Sequence, residues 1–257
     1  MLTIFGALKI ELEHLIRKIE VRSIHKEKDI KIYQGIYGEK SIRIIQTGMG
    51  PENACRAAEL FVGYHNSMHK TKSENPDGEV IVTGFCGAAD PGVPVGEIVS
   101  YNSIKNIILG EKNDFIEADD IDSSSAVLQK ARRDNPFTIV NGATVPMVIT
   151  EPAQKMNLRE RFHIQVIDTE TYYILYSIQR LGLPFSCIRV VSDDANSLLP
   201  SYFDNSSNKG MALKLTFSIL KSIFSKKEFS INRDVFANLK KARASLKEVS
   251  NTIISCI

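Results

Sequence analysis

Residues 79–99 read EVIVTGFCGAADPGVPVGEIV, in which two apolar runs flank a segment of small residues. The β-branched run at residues 80–82 indicates a strand that stops at residues 83–84, and a second strand opens at Val95. The small residues 87–89 between them predict a turn whose backbone N–H groups lie open to a ligand. Because a glycine-rich turn after a strand is a weak signal, this stretch alone favours a tight turn without a ligand.

The composition is that of an ordinary globular protein. The chain has 257 residues, 43% hydrophobic and 24% charged, which suits one large or two small domains with a sizeable core. A net charge of +2 is too small to argue for nucleic acid as a partner. No apolar run approaches the roughly 20 residues of a membrane span, and residues 1–10 lack the features of a signal peptide, so we expect a cytoplasmic protein. The cysteines show no metal-ligand spacing. His65 and His69 lie four residues apart and could place two ligands on one helical face, but no acidic or thiol partner nearby completes such a site, so we expect no metal.

Helix and strand patterns alternate along nearly the whole chain. The predicted elements are a strand at 2–5, an amphipathic helix after it, a hairpin at 30–37 and 41–46, a helix from Pro51, a strand at 80–82, a long or bent strand at 95–109, a helix at 123–133 after an acidic loop, a strand at 137–149, a helix at 152–162, a strand at 164–167, a helix to about Leu181 and a strand at 185–191. This alternation predicts an α/β fold, a three-layer α/β/α sandwich in which helices cover both faces of a central mixed sheet.

Polar residues follow five of the predicted strands. They are Glu11, residues 48–50, residues 83–89, residues 168–170 and Asp193. Ligands in α/β folds bind at the carboxyl ends of strands, so these residues predict one shared site. Each carboxylate also has a plainer interpretation. Glu11 can be an exposed helix residue, Glu170 an acid favoured by a helix dipole, and Asp193 a helix cap.

Five motifs together resemble the nucleoside phosphorylase and nucleosidase superfamily. Over roughly residues 1–220 the chain is most similar to 5′-methylthioadenosine/S-adenosylhomocysteine nucleosidases. The motifs, in the family's order and at about its spacings, are GALKIEL (6–12), TGMGPENA (47–54), VTGFCGA (82–88) followed by VGEIV (95–99), IDTE (167–170) and IRVVSDDA (188–195).

The resemblance implies cleavage of a purine N-ribosidic bond without a cofactor. This reaction needs an acid for the leaving base and an activated nucleophile at the anomeric carbon. By position in its motif, Asp193 is the implied general acid at N7 of the purine. Glu11 is the implied base that activates water, and Glu170 binds the ribose 2′ and 3′ hydroxyls. The further implied substrate contacts are Met49, Phe85, Cys86, Gly87, Asp168, Thr169 and Ser192.

Other details narrow the resemblance or depart from it. The segment 150–162, residues 198–200 and the C-terminal extension are similar to hopanoid-associated nucleoside phosphorylases, which implies an adenosyl group on a hopane as substrate. Phe85 stands where the family usually has a serine, and Thr169 replaces a common methionine. A phosphorylase needs arginines that converge on phosphate. The candidates here are Arg43, Arg56 and Arg189.

We therefore expect a nucleosidase that releases adenine from a 5′-modified adenosine and forms at least a homodimer, as the resemblance implies. Two alternatives stay open. One is a phosphate-dependent purine nucleoside phosphorylase. The other is a non-catalytic nucleoside-binding or membrane-associated protein on the same fold.

The chain divides into a main domain at 1–228 and an amphipathic helical extension at 229–257. One face of the extension is apolar, and basic residues lie beside it. Such a helix can rest on a membrane surface, here through residues 233–254. The favoured alternative is packing on its own domain or on another subunit. The apolar residues are Val235, Leu239, Ala242, Leu246, Val249 and Ile253.

Overall fold

A mixed β-sheet forms the centre of the protein in the computed structural model, which describes residues 1–70, 78–111, 114–122, 137–200 and 226–255. The strands within these ranges are β1 (Leu2–Gly6), β2 (Glu20–Glu27), β3 (Ile30–Tyr37), β4 (Lys40–Gln46), β5 (Glu79–Ala88), β6 (Ile98–Leu109), β7 (Phe115–Asp122), β8 (Thr138–Thr144), β9 (Val166–Asp168) and β10 (Phe185–Asp193).

Strand β1 lies inside the sheet, parallel to β4 on one side and to β5 on the other. β5 also pairs in parallel with β10, and β10 runs antiparallel to β6. From β6 the sheet continues through β8 to β9, which returns antiparallel to β5. Strands β5, β10, β6, β8 and β9 therefore close a ring. Because β1, β5 and β10 are parallel, their carboxyl ends meet at one edge of the sheet.

Helices cover both faces of this sheet. Successive strand residues point to opposite faces, so Phe5 and Val82 enter one core cluster, whereas Ile4 and Ile81 enter another. The second and fourth helices contribute to the first cluster, and the first and last helices to the second. The α/β sandwich with a mixed sheet is thus confirmed. The helices of the described ranges are α1 (Lys9–Lys18), α2 (Pro51–Lys70), α3 (Pro152–Phe162), α4 (Thr171–Gln179) and α5 (Lys226–Ser255).

The C-terminal helix α5 packs on the protein itself. Ala242, Leu246 and Val249 are each at most 1% exposed and share a core cluster with Leu12 and Leu15 of α1. An apolar face that is already buried cannot enter a lipid surface, so the membrane contact proposed for residues 233–254 is wrong for this part of the stripe. No described helix is long and apolar enough to cross a membrane. The domain boundary after residue 228 stays a prediction.

The strand pattern differs from the predicted one in several places. β5 continues through residues 87–88, because β9 and β10 both pair with Gly87, so no turn begins there. β6 starts at Ile98 rather than Val95, and β8 ends at Thr144. β2 was not predicted at all. The helix predicted at 123–133 lies outside the described residues.

The acidic segment before residue 123 is strand β7 rather than a loop. It pairs antiparallel with β6 along residues 103–109. Its carboxylates are exposed, and Glu117 accepts a hydrogen bond at 2.8 Å from Lys105 on β6. Cross-strand pairing therefore overrides the low strand propensity of acidic residues.

Candidate active site

A cavity of about 560 Å³ opens at the carboxyl ends of β1, β5, β9 and β10. The structure brings all ten residues predicted from the sequence to this cavity, although their roles remain predictions. The lining includes Glu11, Met49, Phe85, Cys86, Gly87, Asp168, Thr169, Glu170, Ser192 and Asp193.

Glu11, in the first turn of α1, is 4% exposed, which rules out the plain surface interpretation. Its Oε1 accepts a hydrogen bond from the backbone N–H of Phe85 at 2.8 Å, and its Oε2 accepts one from the N–H of Leu8 at 2.7 Å. Burial raises the pKa of Glu11 to about 7, and the charge of Arg189 and the two N–H donors oppose that rise only in part. Glu11 can therefore exchange a proton near neutral pH.

Gly84 makes room for this carboxylate. Its φ of +141° lies in the region that favours glycine. A Cβ at this position would lie 2.7 Å from Oε1 of Glu11 and 2.9 Å from Nη1 of Arg189. Gly84 is therefore required because Glu11 and Arg189 approach the backbone of β5 so closely.

Arg189, on β10, supplies a buried positive charge near the acidic residues. Its Nη2 donates to Oγ1 of Thr171 at 2.6 Å, and its Nη1 donates to the carbonyl of Phe85 at 3.1 Å. The guanidinium also lies 3.8 Å from Asp168 and 3.9 Å from Glu170. Such a cation offsets the charge that these carboxylates add to a buried site.

Glu170 is held at the cavity wall by two donors. Its Oε1 accepts from the backbone N–H of Gly50 at 2.7 Å and from Oγ1 of Thr169 at 2.5 Å. Burial raises the pKa of Glu170, with Arg189 opposing. The turn at residues 47–50 thus contributes a donor to the site, and Thr169, a departure from the family pattern, orients the carboxylate.

Asp168 is occupied by bonds within the protein. Its Oδ1 accepts from Oγ1 of Thr144 and from the backbone N–H groups of Glu170 and Thr171, at 2.8 to 3.0 Å. Its Oδ2 accepts from Oγ1 of Thr171 at 2.5 Å. These bonds order the start of α4 and so fix the backbone of Glu170. Asp168 is better suited to shaping the site than to binding a ligand directly.

Asp193, at the end of β10, has a defined partner for each carboxylate oxygen. The ammonium of Lys155 donates to Oδ2 at 2.5 Å, and Oγ of Ser192 donates to Oδ1 at 2.8 Å. The carboxylate also lies close to β5, since a Cβ on Gly87 would be 2.9 Å from Oδ2. Asp193 therefore has a fixed position, with acceptor capacity left for a ligand.

Two parts of the site were not predicted from the sequence. Lys155 on α3 is one, and its signal was available: it shares one helix face with Leu158 and Phe162, at spacings of three and seven residues. The second is α5, which forms one wall of the cavity and contributes two cationic side chains to its lining. The lining residues from α5 are Val235, Phe236, Leu239, Lys240 and Arg243.

The three arginines considered for phosphate are not among the described residues that line the cavity. Arg43 is buried, with its guanidinium 5.6 Å from the ring centre of Phe61 and 5.9 Å from that of Tyr64. Arg189 directs its donors into the protein, as described above. Arg56 lies on α2.

Comparison with known families identifies the superfamily of this chain. The model of the phosphorylase superfamily matches residues 2–224. The chain belongs to the phosphorylase superfamily. Within this superfamily, a curated relative is the 5′-methylthioadenosine/S-adenosylhomocysteine nucleosidase of Staphylococcus aureus, which is 26% identical over 209 residues, 76% of this chain and 87% of the relative.

Two solved structures share the fold. Futalosine hydrolase of Helicobacter pylori superposes with a TM-score of 0.71 at 13% identity, covering 100% of this chain and 97% of the other. The 5′-methylthioadenosine/S-adenosylhomocysteine nucleosidase of Neisseria meningitidis, in complex with methylthio-immucillin-A, has a TM-score of 0.69 at 17% identity, covering 99% and 98%. At these identities the likeness shows the fold alone.

Proposed function

We propose that this phosphorylase-superfamily protein is a nucleosidase that hydrolyses the N-ribosidic bond of a 5′-modified adenosine and releases adenine. The observation that carries the proposal is the meeting of Glu11, Glu170 and Asp193 at one cavity, each with different hydrogen-bond partners. The 26% identical relative carries a nucleosidase name, which supports the same reaction class.

Asp193 suits the leaving base. As the C1′–N9 bond breaks, negative charge develops on the purine, and a carboxylic acid next to N7 can neutralise it with a proton. Adenine presents the N7 acceptor beside the donors of its exocyclic amine, so one carboxyl group can satisfy both. The contacts of Asp193 with Lys155 and Ser192 hold the group in one place for this task.

Glu11 suits the activation of water. A base that removes a proton from water is most useful when its pKa lies near the working pH, and the pKa of Glu11 is about 7. Its two oxygens are each held by a backbone N–H, so the carboxylate does not need to reorient during the reaction.

Glu170 suits the ribose. A carboxylate can accept hydrogen bonds from two neighbouring hydroxyl groups, such as the 2′ and 3′ hydroxyls. Its neighbour Met49 also lines the cavity, next to the Gly50 N–H that holds Glu170. Glu170 thereby fixes the sugar relative to Glu11 and Asp193.

Hydrolysis is favoured over phosphorolysis. A phosphate ion beside the anomeric carbon would require several donors. The cations that line the cavity, Lys240 and Arg243, lie on the α5 wall, and Arg43, Arg56 and Arg189 are not among the described lining residues. The Glu11 carboxylate would also repel an anion in that position, whereas it accepts a bond from neutral water.

The wall from α5 supports an apolar 5′ substituent. Val235, Phe236 and Leu239 face a cavity that Met147 and Leu199 also line. A methylthio group can pack against these apolar side chains, and so can the hopane that the resemblance to hopanoid-associated phosphorylases implies. The hopanoid branch, the homodimer and the cytoplasmic location remain predictions.

Adenine release from methylthioadenosine, S-adenosylhomocysteine and adenosylhopane, each with and without phosphate, tests the proposal. We expect release without phosphate, at a rate that phosphate does not raise. Release that requires phosphate would assign the protein to the phosphorylases. Nucleoside binding without release would favour the non-catalytic alternative.

A further inference from the structure

Lys155 is a buried lysine beside the candidate acid. Its side chain is 0% exposed, although lysine is almost never fully buried unless it is paired. It lies on the face of α3 that carries Leu158 and Phe162 into a core cluster. An apolar residue would fit that face without the cost of desolvating a charge.

The ammonium of Lys155 contacts Asp193 and the residue that follows it. Its Nζ donates to Oδ2 of Asp193 at 2.5 Å and to the backbone carbonyl of Asp194 at 2.8 Å. The carboxylate of Asp194 is bonded elsewhere, to the backbone N–H of Asn196 at 2.8 Å. The ammonium therefore serves the side chain of Asp193 and the turn that presents it.

We propose that Lys155 is a positioning residue that acts through Asp193 and stabilises the negative charge that Asp193 acquires when it gives its proton to the leaving base. This inference rests on the proposed function. Lys155 is not among the described lining residues of the cavity, so it acts on the substrate only through Asp193.

During hydrolysis one bond breaks, one bond forms and two protons move. The C1′–N9 bond breaks and its electron pair stays with the purine, while the carboxyl proton of Asp193 moves to N7. The oxygen of the attacking water bonds to C1′, and a proton of that water moves to Glu11. Asp193 ends the step as a carboxylate, and the ammonium of Lys155, already in hydrogen-bond contact, stabilises that charge without reorganisation.

Two substrates separate this role from a merely structural one. Adenine needs a proton to leave, whereas 4-nitrophenolate leaves from a 4-nitrophenyl riboside without one. We expect Lys155→Met to lower kcat for methylthioadenosine by about 100-fold or more, the usual contribution of general acid catalysis. On the nitrophenyl riboside we expect less than about a threefold loss, because the acid is not used.

Matched variants keep the test decisive. Lys105→Met removes a lysine from an ion pair with Glu117 outside the cavity and should change neither rate. Lys155→Gln retains a donor without the charge and replaces Lys155→Met if thermal unfolding shows that variant to be unfolded. The double variant Asp193→Asn/Lys155→Met should have nearly the same kcat as Asp193→Asn alone, because the effects of residues that act as one unit are non-additive.

Each outcome has one meaning. Selective loss on methylthioadenosine supports the role of Lys155. Equal losses on both substrates, or no loss on either, overturn it while the wild-type activity leaves the proposed function intact. A folded wild-type protein that cleaves neither substrate overturns the proposed function and this inference with it.

Discussion

Replacing Glu11 with glutamine should change how the stability of the fold depends on pH. Glu11 is buried, and its pKa rises from 4.5 to about 7. Because the folded-state pKa lies above the unfolded-state one, the protonated group stabilises the fold fully below pH 4.5. That stabilisation is lost as the pH rises from 4.5 through about 7. Glu11→Gln removes this titration.

The size of the effect follows from the two pKa values. Each unit of pKa corresponds to about 1.4 kcal/mol between the two protonation states. Between pH 5 and pH 8, the wild type should lose about 2.5 kcal/mol of unfolding free energy relative to Glu11→Gln. The glutamine amide cannot accept from both Phe85 and Leu8, and the resulting penalty is about the same at both pH values, so it cancels from this difference.

Urea unfolding of both proteins at pH 5 and pH 8 measures the difference directly. Glu20→Gln, at an exposed carboxylate on β2, controls for the loss of one negative charge, and its effect is subtracted. A difference in unfolding free energy between Glu11→Gln and wild type that stays constant from pH 5 to pH 8 would contradict the raised pKa of Glu11. Glu11 would then titrate alike in the folded and unfolded chains.

Three further changes test other parts of the site. Gly87→Ala places a Cβ 2.9 Å from Oδ2 of Asp193, so it should displace that carboxyl group and lower kcat about 100-fold. The control Gly63→Ala, in open space on α2, should leave kcat unchanged, and equal kcat values in the two variants would contradict the prediction. Glu170→Gln should lower kcat/KM for methylthioadenosine by roughly 10- to 100-fold and remove the preference of the enzyme for methylthioadenosine over its 2′-deoxy analogue. A preference that survives in Glu170→Gln would show that Glu170 does not contact the 2′ hydroxyl. Phe236→Ala should raise KM about tenfold for methylthioadenosine but little for adenosine, and equal changes would remove α5 from the 5′ site.

The sheet and its two helical layers were predictable because their residues obey strong local patterns. The apolar residues of α1 recur at helical spacing, and the β-branched run of β5 is typical of a buried strand. β2 and β7 were missed because pairing with a neighbouring strand, which no local pattern reveals, determines them. Their exposed polar residues read locally as loops.

Some residues of the candidate site were likewise predictable from the sequence, and others were not. The carboxylates Glu11, Glu170 and Asp193 were predictable because each follows a strand and occupies its position in a motif. Lys155 pairs with Asp193 across 38 positions of sequence, which no motif joins. The wall from α5 depends on tertiary packing, so a pattern typical of amphipathic surface helices could not distinguish a membrane from the protein's own cavity.

The chemical form of the sugar product distinguishes hydrolysis from phosphorolysis and tests the role of Asp193. The reaction with methylthioadenosine is run in phosphate buffer prepared with ¹⁸O-labelled water, and the sugar product is analysed by mass spectrometry before its label exchanges. Hydrolysis with Asp193 as the acid predicts a free methylthioribose with ¹⁸O at C1′, formed by the wild type and lost in Asp193→Asn. A sugar 1-phosphate without label at C1′, or labelled sugar formed equally fast by Asp193→Asn, would contradict it.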